Sequence, residues 1–215
     1  MTTKNKSTVA ITMIRTGHGD LGDTKLGGKT YRKGHALVEL SAALDAAQSF
    51  TIALPSKMSW GKPRALMQEL LFRLGAVIGS RTPNNQELAL VEIGKAMERE
   101  IEKISSGLNP LDSFIRVTVT NAELQQLRAM VRLAETACVK AFDQIKLESK
   151  DIAPNLLYML EQSMKVLNIA SDWVFAYAWL KTVNEQGIVP TENKWNPMTE
   201  AAIIKLNDDL NDGQN

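Results

Sequence analysis

The sequence predicts an all-α protein, an antiparallel five-helix bundle with an N-terminal glycine-rich loop. Three observations lead there. Apolar residues recur at helical spacing in five long segments. The breaks between segments are short and carry Pro, Gly or Asn, so successive helices fold back on one another. Strand-like runs are brief, and no repeat of fixed period appears.

The segments follow in order. Val9 to Ile14 is a β-branched run that either pairs as a strand or pins the following loop to the body. After the loop, Ala36 to Gln48 reads as the first helix, with Leu37, Leu40, Leu44 and Ala47 on one face. Pro55, Ser56, Gly61 and Pro63 form its connector, and Pro63 suits the first turn of a helix from Arg64 to Ser80. There Leu66, Leu70, Leu74 and Val77 lie in a wide stripe, and Gly75 is expected to admit a neighbouring helix. Thr82 to Asn85 breaks the pattern before Glu87 to Ile104. That helix puts Leu88, Val91, Ile93 and Met97 inside and Glu92, Lys95, Glu98 and Arg99 in solvent.

Gly107, Asn109 and Pro110 mark the next connector, and Phe114 to Thr120 reads as extended. Thr120 or Asn121 is expected to cap a fourth helix that carries Leu124, Leu127, Val131 and Ala134 and runs to about Ile145. Pro154 opens the longest apolar segment, to about Val183, which Gly187 and Pro190 end. Met159, Met164, Trp173 and Trp179 within it read as core. The expected division is a flexible N-terminus over 1–10, the bundle over 11–186, and a tail over 187–215 with a short helix from Thr199 to Leu210.

Composition narrows the function. A chain of 215 residues suits one domain, with 44% hydrophobic and 23% charged residues. A net charge of +1 gives no global field to draw in nucleic acid or an anionic membrane, and neither partner is expected. The lone Cys138 excludes an intramolecular disulfide. His18 and His35, with no C-x-x-C, leave no structural zinc site. The polar start MTTKNKSTVA lacks a signal-peptide core, so the expected location is the cytoplasm.

Two groups of polar residues are not needed by a plain bundle. Gly17, Gly19, Gly22, Gly27 and Gly28 fall within twelve residues, interleaved with Thr16, Thr24, Thr30, Lys25, Lys29, Arg32 and Lys33. Glycine lets backbone approach a ligand, and hydroxyls and cations bind anionic oxygens, so this mixture suits a polyphosphate at a helix N-terminus. On composition alone such a stretch is more often a flexible connector. Gly27 to Thr30 spells GGKT, but the P-loop's first glycine would be Asp23, so no P-loop is present.

The second group lies on the last two helices. Arg128 and Arg132, four apart, share a helical face and call for an anion opposite, either Glu39 or Asp45 or a triphosphate, unless both simply face solvent. Asn168 and Asp172 are set in an apolar helix, where a buried polar side chain needs a partner, internal or bound.

In order along the chain, these residues resemble the cobalamin adenosyltransferases of the propanediol-utilisation type. The family's opening motif T-x-T-G-D-x-G-x-T-x-L is met at Thr16, Gly19, Asp20, Gly22, Thr24 and Leu26. Its second signature is met at Lys33, Val38, Glu39, Asp45 and Ser49, and its L-F-x-L-G-A helix by Leu71-Phe72-Arg73-Leu74-Gly75-Ala76. Phe114-Ile115 matches the start of F-I-L-P-G-G. Arg128, Arg132, Ala134 and Glu135 match R-x-x-x-R-x-A-E, and Leu167-Asn168-x-x-Ser171-Asp172-x-x-Phe175 matches the last motif. The chain departs from the pattern at Gly17 and His18, which replace a cation and a hydroxyl, at Leu37 and Ala46, and at Val117-Thr118-Val119 in place of P-G-G.

The resemblance implies transfer of the 5′-deoxyadenosyl group of ATP to cob(I)alamin, with Mg2+ on the triphosphate. It also implies a homotrimer with ATP held between adjacent subunits beneath the glycine loop. Thr16, Gly19, Asp20, Gly22, Thr24 and Lys33 would hold the phosphates, and Arg132, Glu135 and Asn168 would contact the nucleotide. Asp45 and Arg128 would pair across the subunit interface, and Phe114 would exclude the lower axial ligand of the corrinoid. The alternatives are a non-catalytic relative that binds nucleotide or corrinoid in a regulatory or structural role, and a helical assembly protein with no small ligand.

Overall fold

The structure, a computed structural model, describes residues 19–54, 61–79, 86–108, 117–118, 121–148 and 154–186. Among the described residues are five helices: α1 (Ala36–Ala53), α2 (Gly61–Gly79), α3 (Glu87–Ser105), α4 (Ala122–Glu148) and α5 (Pro154–Gln186). They match the five segments read from the sequence. The glycine loop itself is ordered as a hairpin of β1 (Asp23–Leu26) and β2 (Lys29–Arg32). Thr24 pairs with Tyr31, and Leu26 with Lys29. Gly27 and Gly28 take φ of +56° and +83°, the left-handed pair that a two-residue hairpin turn requires.

Side-chain contacts fix the direction of each helix. The Ala36 N–H donates to Gln144 Oε1 at 2.9 Å, and Glu39 faces Lys140 at 4.0 Å, so α1 and α4 are antiparallel. Cys138 Sγ donates to the Leu160 carbonyl at 3.5 Å and Asn121 Nδ2 to Thr182 Oγ1 at 2.9 Å, so α4 and α5 are antiparallel too. Leu40 and Leu44 meet Leu74 and Ile78 across α1 and α2. One neighbouring pair departs from the expected antiparallel scheme. Tyr158 donates to Glu87 at 2.6 Å and Trp173 to Glu100 at 2.8 Å, so α3 and α5 run in parallel. The spatial order is α2, α1, α4, α5, α3, with α2 lightly closing the ring against α5 and α3.

The core fills the centre of that ring. Met67, Leu70, Leu71 and Leu74 of α2, Leu124, Leu127 and Val131 of α4, and Trp173 of α5 are all at or below 1% exposure. Each such side chain contributes roughly 2 kcal/mol by leaving water. Thr51, Ser163 and Thr182 are buried polar residues satisfied by donating to the carbonyl four residues earlier.

Several local expectations are corrected. Leu88 is exposed, because the buried stripe of α3 is Leu90, Ile93, Gly94 and Met97. A Cβ on Gly75 would meet nothing within 4 Å. The helical close approach occurs at Gly94, against Val166 and Ile169. Asn121 stands at the start of α4, where its carbonyl accepts from the Gln125 N–H at 3.0 Å, and its side chain accepts from the Thr118 N–H and donates to Thr182, tying the start of α4 to the end of α5. The helix over 199–210, the run over 9–14 and most of the extended run over 114–120 lie outside the described residues. Among the described residues no helix is long and apolar enough to cross a membrane.

Candidate nucleotide site

The hairpin begins in a turn from Gly19 to Gly22, where the Gly22 N–H donates to the Gly19 carbonyl at 3.1 Å. The Lys33 N–H donates to the Gly22 carbonyl at 2.8 Å and closes the hairpin base. Gly22 has φ +83°, and a Cβ there would lie 3.2 Å from Arg32 Nη2. A Cβ on Gly19 would lie 3.1 Å from Lys33 Nζ. Two cations therefore lie close against the glycines of this turn. Arg32 Nη1 donates to the Leu21 carbonyl at 2.9 Å and to Asp23 Oδ1 at 3.1 Å, which holds one of the cations in place. Asp20 is exposed at the rim, and Thr24 is half-buried on β1.

The chain passes from Lys33 into α1 through His35, the N-cap, whose Nδ1 accepts from the Leu37 N–H at 3.1 Å. On the other side of the imidazole, Nε2 lies 3.2 Å from Glu148 Oε2 at the end of α4. The phosphate-type elements thus occupy the end of the bundle where α1 begins and α4 finishes.

The arginines occupy a different place. Arg128 stacks its guanidinium 4.9 Å above the Phe175 ring, and its Nε is buried without a hydrogen-bond partner among the described residues. Burial first, and the Arg132 charge second, pull its pKa below the ordinary arginine value, while Asp172 opposes them. Arg132 and Asn168 are exposed, and Glu135 is half-buried. With Arg128 beside Asp172 and α4 antiparallel to α5, one turn along each helix brings Arg132 level with Asn168. These four polar residues form one face, with two cations and the single carboxylate of Asp172.

Asn168 and Asp172 were expected to be buried and are both exposed, on the stripe of α5 that points away from Leu167, Ala170 and Trp173. Glu39 faces Lys140, so it is not the anion opposite the arginines. Asp45 is exposed, and the α1–α4 register sets it level with Glu135. It makes no ion pair with Arg128 within the chain.

The glycine hairpin and the arginine face do not meet in one chain either. Arg132 is twelve residues from Gln144, about 18 Å along α4 from the hairpin base. Thr16 and Phe114 lie outside the described residues.

A family model described as cobalamin adenosyltransferase matches residues 14–181, most of the chain. The chain belongs to the cobalamin adenosyltransferase family. Solved structures of a PduO-type ATP:corrinoid adenosyltransferase from Lactobacillus reuteri share its fold. A phenylalanine-to-alanine variant, complexed with cobalamin and ATP, is 22% identical, with 81% of this chain and 96% of that one covered and a TM-score of 0.63. A phenylalanine-to-histidine variant, also with cobalamin and ATP, is 23% identical, with 81% and 93% covered and a TM-score of 0.62. An arginine-to-lysine variant complexed with ATP is 24% identical, with 80% and 94% covered and a TM-score of 0.59. Among curated proteins, none matches the chain.

The family's five-helix body is therefore present. Sequence reasoning counted Arg32 among the cations of the glycine loop without giving it a place in the site, and it read Phe175 as an apolar residue of the last helix and part of its motif. The bond from His35 to Glu148 spans 113 positions, and nothing local announces it.

Proposed function

We propose that the protein transfers the 5′-deoxyadenosyl group of ATP to cob(I)alamin, at a site completed between two copies of the chain. The observation that carries this reading is the division of the site: a glycine turn wrapped by Lys33 and Arg32 at one end of the bundle, and a face with two arginines lower down. Each is half of an anion site, and a second copy would bring one copy's hairpin over the other's arginines. The exposed Asp45 would then pair with Arg128 of a neighbour, in an assembly we take to be a homotrimer.

In the transfer, the electron pair of cob(I)alamin forms a bond from cobalt to C5′ while the C5′–O bond breaks and triphosphate leaves with its electrons. The residues here supply position and charge. Gly19, Gly22 and Lys33, with Thr16 and Thr24, would hold the phosphates. Arg132, Glu135 and Asn168 would fix the nucleoside end. Phe114 would keep the lower axial position of the corrinoid free of a donor, which eases reduction to Co(I).

The described residues contain no group of three His, Cys, Asp or Glu side chains able to hold a metal. That fits magnesium, which binds chiefly through substrate phosphates and asks one or two oxygens of the protein. Asp20 would provide one, and the ion would neutralise the leaving triphosphate. The body over 11–186 is the catalytic unit in this reading, working in the cytoplasm.

The test is direct. Wild-type protein with magnesium-ATP and reduced cobalamin should show the spectrum of adenosylcobalamin growing with time. Binding of magnesium-ATP by calorimetry without that product would instead support a non-catalytic relative.

A further inference from the structure

The junction between hairpin and bundle is held by a closed ring of hydrogen bonds. The Ala36 N–H donates to Gln144 Oε1 at 2.9 Å, and Gln144 Nε2 donates to Glu148 Oε1 at 2.5 Å. Glu148 Oε2 faces His35 Nε2 at 3.2 Å, and His35 Nδ1 accepts from the Leu37 N–H at 3.1 Å. Because Nδ1 is an acceptor, the neutral imidazole carries its proton on Nε2 and donates to Glu148. The His35 side chain is only 10% exposed, and the Tyr31 ring of β2 packs on it at 4.5 Å between centroids.

The ring accommodates only these donors and acceptors. Glu148 must accept at both oxygens, and Gln144 must keep its oxygen toward Ala36. The carboxylate also closes the C-terminal end of α4, where a negative charge is unfavourable, but it lies beside the positive N-terminal end of α1. Lys33 is two residues from His35, and its N–H closes the glycine turn. Moving the imidazole therefore moves the cation and the turn together.

We propose that His35, Gln144 and Glu148 form a latch that positions the glycine hairpin for the triphosphate. This rests on the adenosyltransferase reading above. The three are positioning residues, acting through Lys33 and the Gly19–Gly22 turn.

Two variants separate the latch from simple helix capping. His35→Asn keeps an N-cap of equal quality but is too short to reach Glu148. Glu148→Ala leaves the cap intact and removes the other side. Each should raise the KM for ATP about tenfold with kcat within about twofold of wild type. The double variant should be no worse than either single one, because the same contact is lost. Amide exchange should quicken at Lys33 and across the hairpin while the α4–α5 core stays protected. An unchanged KM for ATP in both variants, with wild-type protein active, overturns the latch. So does a parallel fall of kcat and melting temperature with no selective change in KM. If wild-type protein makes no adenosylcobalamin, the reaction itself is wrong and the latch proposal falls with it.

Discussion

Arg132 and Glu148 show how single residues divide between ligand and scaffold. Arg132 is exposed and makes no ion pair among the described residues, so its removal leaves no buried group unpaired. Arg132→Ala should change stability by less than about 0.5 kcal/mol and lower turnover at least a hundredfold. Thermal unfolding and the adenosylation rate measure the two effects, and an unchanged rate would take Arg132 out of the site. Glu148 is the reverse case. Hydrogen bonds from Gln144 first, and from His35 next, hold its carboxyl below the ordinary carboxylate range. A depressed carboxylate stabilises the fold at pH values above the unfolded pKa, about 4.3, and that stabilisation is lost as pH falls through the lower folded value. Denaturant titrations should show wild type more stable than Glu148→Gln at pH 7, with the gap narrowing below about pH 4.

Glycines at the scale of elements separate helix from hairpin. Gly75 lies inside α2 with open space where a Cβ would stand, so Gly75→Ala should raise stability by about 1 kcal/mol. Gly22 has φ +83° with the Arg32 guanidinium against it, so Gly22→Ala should strain the hairpin base and weaken ATP binding. Calorimetric unfolding and magnesium-ATP titration of both variants check the pair.

The same contrast explains what was legible in the sequence. Helical periodicity gave all five helices, with α1 extending five residues beyond Gln48 and most other ends within a few residues, because Leu70, Leu74 and their counterparts bury one stripe per helix. Periodicity does not carry partner identity, so Leu88 was placed inside and the parallel pairing of α3 with α5 was not foreseen. The hairpin read as a loop because lysines and threonines occupy both strands, and only Gly27-Gly28 signalled a turn. Order of motifs singled out the candidate site residues, but it could not show that Lys33 and Arg132 stand at different heights of one bundle.

For the whole molecule, that separation is the central fact. A bundle with α1 antiparallel to α4 cannot fold its own hairpin base onto a face about 18 Å away along the helix. A nucleotide that touches both groups therefore bridges two copies. The activity should belong to an assembly and should fall on dilution as that assembly dissociates.

Mixing two disabled chains tests this most directly. Lys33→Ala damages the hairpin half and Arg132→Ala the helical half, so each variant alone should be nearly inactive. Dissociated, mixed and reassembled, they should recover about a quarter of the wild-type adenosylation rate, the share of interfaces that random mixing makes intact on both sides. A mixture that stays as inactive as its components, although wild-type protein carried through the same steps is active, would contradict a site divided between copies.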